Sequence, residues 1–564
     1  MPGAHYIGKQ VIDVRLQGRQ DGFELQQRIS RLCRELLHPA LDELFSRYAG
    51  PDEVIRLERL EVDLGSMDSA RFQDEFVRKV RQALRDQLDK ILIVERRGFE
   101  RLSSAQNHFS QWLHFLEKGY LPWNGGRATE EERQRAVLES LAADPPSVSR
   151  FKALLRERPA TLRRLALQSP EPFLVQLLEA VAARKYSRLP GLRAEMERAF
   201  APGGLANDIA ERKSLPSSSS EVKLLFWGAA LEIALLKEDP EPLMQTARQW
   251  ISYLLESGSG QAFFQKLQKE KAGFPILTGL LPALAAGAPA EEPRQRSAPP
   301  DEPAAEDATA KGRKKKEKGP AEKPMEKPEE KGPAEVREDS KADAKTEAET
   351  PFKLEKARGK DQSPGDGSLE AEAGLPPEEA FPESEAPDFA EFSSRMEGEE
   401  FYLRNAGVVL LHPFLPAFFG RLGWVQKGEF TDEAARHRAI HMIQYLATRE
   451  SGLPEYELLL PKFLCAQPFD VPLSREVTFS AEELAEAENL LASAISHWGK
   501  LGSSGPDALR EGFLQREGKL SRRPNGWYLQ VEQQTIDVLL DQLPWTLGIV
   551  RLPWMPEILR VEWA

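Results

Sequence analysis

Cysteine is scarce in this chain. Its scarcity limits how far disulfides can stabilise the fold and indicates the cell compartment in which the protein is made. Only Cys33 and Cys465 occur in 564 residues, far apart in sequence and each among apolar neighbours. Two such residues do not supply the disulfide framework on which small secreted domains depend. We therefore expect both to be small core residues of a protein made in a reducing cytoplasm.

Long apolar runs are also missing. Residues 1–17 alternate between polar and apolar side chains, so we expect no signal peptide. The most apolar window, 273–290, is interrupted by Pro and Gly, which favours a short buried helical hairpin over a membrane span. The interrupting residues are Pro275, Gly279, Pro282 and Gly287. The sequence thus predicts a soluble protein without a membrane partner.

Net positive charge, the usual mark of a nucleic-acid-binding protein, is absent. The formal charge is -13, so the average field repels nucleic acid and anionic lipid. One basic run, at 311–317, stands among many carboxylates and has no aromatic neighbours on which bases could stack. We interpret it as a solvated stretch, with a weak electrostatic contact as the alternative, and expect no specific nucleic-acid partner.

What is present falls into four parts, which together predict a multidomain α+β protein. Residues 1–104 form a small N-terminal α+β domain in the order strand, helix, strand, helix. The first strand is predicted from alternating apolar residues, namely Ile12, Val14 and Leu16. Apolar residues within 55–64 predict the second strand, with a bulge or bend at Glu58 and Arg59 where the apolar phase slips by one residue.

Both helices of the N-terminal domain are predicted from apolar spacing. In the first, over residues 25–48, Pro39 leaves a kinked helix and two separate helices both open. In the second, apolar residues recur every four positions, at Phe72, Phe76, Val80, Leu84 and Leu88. That spacing is typical of a helix that faces a core.

The middle of the chain divides into a helical region and a linker. Residues 105–287 carry short apolar clusters at helical spacing, punctuated by prolines, as in stacked helical hairpins. Residues 288–397 consist mostly of Pro, Glu, Lys, Ala, Gly and Ser, a composition that buries too little apolar surface to offset its chain entropy. We predict that this long linker is disordered.

Residues 398–564 are predicted to form a C-terminal α+β domain. The stretches 434–446 and 481–498 have helical spacing, whereas Trp527, Leu529 and Val531 alternate as in a strand. The tryptophans near its C-terminal end are Trp498, Trp527, Trp545, Trp554 and Trp563. We expect most of them in the core, and Trp563, one residue from the end, at an interface.

Few residues suggest chemistry, and no catalytic, cofactor or metal site is predicted. His437 and His441 have the i, i+4 spacing of two metal ligands, but a zincin's general base and a third ligand are not evident. Cys465 with His412 or His497 lacks the polar surroundings of an activated thiol. GSSG (502–505) lacks the Lys-Ser/Thr of a phosphate-binding loop, so it is interpreted as a plain loop.

The most distinctive feature is a series of short apolar and aromatic phrases near the C-terminal end. They are RNAGVVLLHPFLP (404–416), QYLAT (444–448), PKFLC (461–465), SHW (496–498), FLQREGKL (513–520), DQLPW (541–545), LPWM (552–555) and VEW (561–563). In this order and spacing they resemble the C-terminal region of the tape measure proteins of contractile injection systems, the phage-tail-like devices of bacteria. LEVDLG (60–65) is similar to the opening of the same family.

The resemblance implies a non-enzymatic assembly protein that helps to set the length of the tail tube and sheath. Its implied partners are tube, sheath, cap or baseplate proteins, and self-association is open. The implied location is the cytoplasm during assembly, and then the assembled particle. Two alternatives remain: a tail terminator, assembly adaptor or chaperone, and a hydrolase with an unrecognised site.

Only the linker and the helical region are expected to vary in reach without breaking a core. The prolines and the linker exclude one continuous helical ruler. We therefore expect length to be set either by several copies or by an extended linker that joins end domains with different partners.

Overall fold

A computed structural model of the chain describes residues 5–15, 22–50, 52–67, 71–95, 97–125, 128–209, 213, 215–216, 218–255, 259–286, 388–502 and 504–563. The predicted fold class is confirmed: helices dominate, and strands gather mainly near the C-terminal end. The linker prediction for 288–397 falls mostly outside these residues. At its end the interval was drawn too long, because Phe389–Arg395 is a helix that buries Phe389 and Phe392 in the C-terminal core.

The N-terminal domain has its own core. Its helices are Gly22–Leu32, His38–Phe45 and Phe72–Leu88, the first two joined by the π-helical turn Cys33–Leu37 and the third followed by the π-helical segment Asp89–Glu95. Two short strands, β1 (Glu53–Arg56) and β2 (Glu100–Ser103), pair antiparallel. Pro39 comes directly after the π-helical turn, and the backbone stays helical through Leu37 and His38, so residues 22–45 form one helix with a π-bulge and the alternative of two separate helices is wrong.

The residues at four-residue spacing are all buried on the third helix, as predicted: Phe72, Phe76, Val80, Leu84 and Leu88. One strand prediction is wrong and another holds only in part. The described residues around Ile12 and Val14 form no strand and both side chains are exposed, while Leu16 lies outside the described residues. Of the predicted 55–64 strand only residues 55–56 are paired, because β1 ends at Arg56, and a bend follows at Glu58.

The helical region packs around a second core. Its helices are Ser104–Lys118, Glu130–Ala143, Pro145–Glu157, Pro159–Gln168, Glu171–Ala182, Leu189–Phe200, Ser219–Leu231, Pro242–Leu254, Gly260–Lys269 and Pro275–Ala286. A π-helical turn, Glu232–Leu236, and a 3₁₀ turn, Lys271–Gly273, complete it. The predicted punctuation is explained by prolines such as Pro145 and Pro159, which lie in the first turn of a helix, where proline is favoured.

The apolar window 273–290 is not a hairpin. Its described part is one helix, Pro275–Ala286, which contains Pro282 and buries Leu277, Leu281 and Leu284 against the helical core. A single helix suffices because these leucines, spaced three to four residues apart, share one face. Within the described ranges, no helix is both long and apolar enough to cross a membrane.

The C-terminal domain combines a mixed sheet with helices. Its helices are Phe389–Arg395, Leu415–Arg421, Glu433–Thr448, Leu459–Leu464, Ala481–Trp498 and Pro506–Leu509, the last followed by the π-helical turn Arg510–Leu514. Its 3₁₀ segments are Ala406–Leu411, Glu455–Glu457 and Thr535–Gln542. Its strands are β3 (Glu400–Leu403), β4 (Val425–Gln426), β5 (Glu429–Phe430), β6 (Gly518–Arg523), β7 (Gly526–Val531), β8 (Ile549–Val550) and β9 (Leu559–Glu562).

Five of these strands form one sheet in the order β3-β6-β7-β9-β8. Only the pairing of β7 with β9 is parallel. The alternation of Trp527, Leu529 and Val531 is confirmed, because all three are buried on β7 while their neighbours are half-buried. Sequence patterns did not predict β3, β6 or the small hairpin β4–β5.

Gly407 allows the tightest backbone approach in the C-terminal core. A Cβ atom there would lie 1.7 Å from the carbonyl oxygen of Phe513 and 3.0 Å from the Trp563 ring. Gly407→Ala should therefore destabilise the protein by at least 1–3 kcal/mol, the usual cost of about one methyl group too many in a packed core. Urea unfolding followed by tryptophan fluorescence measures the difference.

Gly420, in the helix Leu415–Arg421, is the matched control. It is exposed, and a Cβ there would meet no atom within 4 Å. Gly420→Ala should instead stabilise the helix by up to about 1 kcal/mol. Equal effects of the two substitutions would contradict the packing described at Gly407.

Candidate functional site

A buried ionic cluster joins the helical region to the C-terminal domain. We call it the ionic seam: Arg164 from the helix Pro159–Gln168, and Glu455 and Lys462 from the C-terminal domain, all three fully buried. The Arg164 Nε donates to Glu455 Oε2 at 3.0 Å, across 291 positions of sequence. Its Nη2 donates to the Asp470 carbonyl at 2.6 Å, so one guanidinium holds two segments of the other domain.

Lys462 completes the seam from the C-terminal side. Its ammonium donates to Glu455 Oε1, to the Phe469 carbonyl at 2.9 Å and to the Val471 carbonyl at 2.7 Å. All three of its protons are thereby used. Burial lowers the pKa of Lys462 to about 8, although the Glu455 carboxylate opposes that shift. All three acceptors belong to the C-terminal domain, so Lys462 is linked to the helical region only through Glu455, which also accepts from Arg164.

Hydrogen bonds extend the seam on both sides. Gln168 donates from Nε2 to the Leu473 carbonyl at 2.9 Å, and its Oε1 accepts from the Glu455 backbone N–H at 2.8 Å. The Ser220 and Ser474 hydroxyl oxygens lie 2.5 Å apart. Ion pairs of Lys223 with Glu476 and of Arg475 with Glu130 stand nearer the surface. The interface is therefore a continuous polar network rather than one contact.

Gly119 allows the two regions to approach. Its φ of +85° is in the left-handed region, where it ends the helix Ser104–Lys118. A Cβ atom there would lie 2.1 Å from the Phe469 carbonyl oxygen and 3.0 Å from Arg164 Nη2. Both the backbone conformation and the seam thus require glycine at this position.

The two histidines at metal-ligand spacing border this seam, and His441 forms a hydrogen bond there. His441 is 2 % exposed, and its Nε2 donates to the Ser474 carbonyl at 2.9 Å. Burial lowers its pKa to about 4. His437 keeps 30 % of its side chain exposed and lies 3.6 Å from Glu433. Among the described residues, no group of three potential metal ligands forms.

His441 should make the protein sensitive to acid. Its folded pKa of about 4 lies below the ordinary value, so between those two values only the unfolded chain takes up a proton. Stability should therefore fall as the pH drops, by about 2 kcal/mol at pH 5 from this group. Unfolding titrations at pH 7 and pH 5 should show a smaller loss for His441→Gln, whose amide can still donate to Ser474. His497→Gln, at an exposed position, should leave the loss unchanged.

The thiol and imidazoles considered as a nucleophilic pair each have other surroundings. Cys465 is fully buried, and burial raises the pKa of its thiol. His412 bonds the Val409 carbonyl, and His497 bonds the Ser493 carbonyl, in each case within its own turn of chain. No hydrogen bond between described residues brings these three side chains together.

Gly502 and Gly505 lie in the loop that follows the helix Ala481–Trp498. The basic run 311–317 lies outside the described residues.

The tryptophans belong to the core, including the one expected at an interface. Trp498 and Trp527 are buried, and Trp545 and Trp554 are half-buried against the same core cluster. Trp563 is 2 % exposed, so the interface prediction for it is wrong. Its indole Nε1 donates to Asp537 Oδ2 at 3.2 Å and its ring packs under Gly407. Nearness to the end of the chain gave no information about that pocket.

The ionic seam was not predicted from the sequence. Glu455 and Lys462 are opposite charges seven residues apart within an apolar stretch, a signal that could have identified them as a buried pair. Arg164 has no such signal, since its partner is 291 positions away and its own neighbours are ordinary for a helix.

Comparison with known proteins gives one result that spans the fold. The family model described as contractile injection system tape measure protein matches residues 4–563. Searches of curated proteins and of solved structures find no match. The family match covers the N-terminal domain, the helical region, both sides of the ionic seam and the C-terminal domain. The chain therefore belongs to the contractile injection system tape measure protein family.

Proposed function

We propose that this protein sets the length of the tail tube and sheath, and that its helical region and C-terminal domain act in this as one body. The observation that carries the proposal is the ionic seam, in which Arg164, Glu455 and Lys462 are fully buried between the two regions. Separating the regions would break the Arg164 bonds to the Glu455 carboxylate and to the Asp470 carbonyl, each a hydrogen bond to a charged group that contributes about 1.5–3 kcal/mol. Family membership supplies the structural assembly role.

Because the two regions form one body, the segment between them could set particle length only in a particular way. The segment 287–387 leaves from the helix Pro275–Ala286 and returns at the helix Phe389–Arg395, and both helices pack into the same compact unit. The segment is therefore a loop tethered at both ends. Fully extended, about 100 residues span roughly 330–360 Å, so a tethered loop reaches roughly 165–180 Å from the body.

The helical region is the weaker candidate for the ruler. Its helices share one core, which includes Phe109, Leu177 and Leu284, and one face of it is fixed by the seam. Removing a helix would leave a cavity in that core, at a cost of several kcal/mol for each large side chain lost. The tethered loop is therefore the part of the chain whose reach can change without unfolding the protein. This replaces a stretched linker between two separate end domains.

The protein acts without catalysis in this proposal. We also propose that the protein acts in the cytoplasm during assembly and that it contacts tube, sheath, cap or baseplate proteins directly. A terminator or assembly adaptor is the second candidate, because a compact body held by buried charges is equally suited to sit at one end of a tube.

Electron microscopy of particles from a strain that lacks this protein tests the proposal. If the protein measures, particles should assemble with a broad distribution of lengths, and the full-length chain supplied from a plasmid should restore one length. If it is an adaptor, the particles that form should keep the normal length while their number falls or their ends remain unfinished.

A further inference from the structure

One described segment near the start of the chain exposes apolar side chains and pairs with no strand. Residues 9–15 have no helical or strand pairing in the described structure. Val11 is 74 % exposed, Val14 42 % and Ile12 36 %. Three β-branched side chains in seven residues are typical of a strand that packs against a sheet. Here they face solvent.

A second segment has the burial pattern of a strand but also lacks a partner. After β1, residues 60–65 alternate: Leu60, Val62 and Leu64 are half-buried against the N-terminal core, while Glu61 and Asp63 are exposed. Strand β1 pairs only with the four residues of β2. A two-stranded sheet of this size is marginal on its own, and it has room for another strand.

Both segments line the same open cleft. The cleft has a volume of about 4200 Å³, and its wall also includes Tyr402 on β3, which is 51 % exposed. Strand β3 is an edge of the five-stranded sheet, so it presents a further unpaired edge to the cleft. Unpaired edges and an unpaired strand thus face one space.

The charges of the two segments are complementary. Residues 9–15 carry Lys9, Asp13 and Arg15, two cations and one carboxylate. Residues 58–63 carry Glu58, Arg59, Glu61 and Asp63, three carboxylates and one cation. If a strand like 9–15 lay beside 58–63, its cations would face carboxylates. Opposite charges across a strand pair are stabilising.

We propose that residues 9–15 of one copy of this protein add as a strand beside residues 58–64 of a second copy. A second copy fits because each chain carries both unpaired segments, 9–15 and 58–64, so the exchange is reciprocal and closes as a symmetric pair. The inference concerns association between copies. It does not depend on whether the protein measures length.

Charge exchange tests the pairing without disturbing a core, because all four positions are exposed. One variant carries Lys9→Glu and Arg15→Glu; the other carries Glu61→Lys and Asp63→Lys. Each alone places like charges opposite each other and should raise the dissociation constant of the pair by roughly tenfold or more. An equimolar mixture should restore association, since each strand then meets an edge of opposite charge. Sedimentation equilibrium of the full chain over a wide concentration range measures this.

A proline variant separates pairing between copies from pairing within one copy. Val11→Pro removes a backbone donor from the strand and should hold the full chain at the mass of one copy. Ala304→Pro, where the chain already has Pro299, Pro300 and Pro303, is the control and should associate like the wild type. A wild type that remains single at every concentration, or a mixture that fails to associate, would overturn the proposal. So would a Val11→Pro variant that lowers thermal stability without changing mass.

Discussion

Replacing Glu455 by Gln should destabilise the protein by roughly 3–5 kcal/mol, the cost of leaving buried charge without its partner. The substitution keeps the shape of the side chain but leaves Arg164 and Lys462 as two buried cations. Since a domain's whole stability is on the order of 5–15 kcal/mol, such a loss is a large part of the total. Urea unfolding monitored by tryptophan fluorescence gives the difference.

Glu486→Gln is the matched control for that substitution. Glu486 pairs with Arg421 at 3.3 Å in the same domain, but both side chains are well exposed. Its loss should cost less than about 1 kcal/mol. Combining Glu455→Gln with Lys462→Met removes one of the orphaned cations, so the double variant should cost less than the sum of the single ones. Equal, small costs for Glu455 and Glu486 would mean that the seam is open to water.

Shortening the loop should shorten the particle by half of what an end-to-end tape would give. Deleting about 50 residues within 300–380 removes roughly 165–180 Å of extended chain. Because both flanks pack into the same unit, the reach of the loop falls by only half of that, roughly 80–90 Å. The folded unit should survive, since the entropy of loop closure changes only with the logarithm of loop length.

The control is a replacement of the same residues by a scrambled sequence of equal length and composition, which should leave particle length unchanged. Shortening by the full 165–180 Å would mean that the two flanks separate during assembly, at roughly 3.3–3.6 Å per residue removed. Unchanged length after the deletion would instead favour the terminator or adaptor. Particle lengths measured by electron microscopy distinguish the three outcomes.

Local patterns predicted the elements that local physics determines. The four-residue spacing from Phe72 to Leu88 and the two-residue alternation from Trp527 to Val531 each report one buried face, and both are confirmed. The predicted strand around Ile12 failed because alternation shows only that a segment could pair, not that its own chain supplies the partner. Trp563 was misplaced because its pocket is made by Gly407 and Asp537, which are remote in sequence.

Sequence patterns could not predict the contact between the helical region and the C-terminal domain. Composition changes near residue 288, between the helical region and the predicted linker, and so suggested two independent ends. Their union depends on Arg164, on Gln168 and on the absence of a side chain at Gly119, and all three act on residues about 300 or more positions away. Such long-range contacts leave no periodic trace in either segment.

The most direct test of the central claim is to lock the two regions together. Ser220 in the helical region and Ser474 in the C-terminal domain have hydroxyl oxygens 2.5 Å apart, so Ser220→Cys with Ser474→Cys places two thiols within disulfide range. The native thiols, Cys33 and Cys465, are buried and should not compete. Particles assembled with the locked protein, in a host whose cytoplasm keeps disulfides, are measured by electron microscopy beside those with either single variant. If the two regions act as one body, all three lengths should match the wild type. Failed assembly or altered length with the locked protein alone would show that the regions must separate, and would contradict the account.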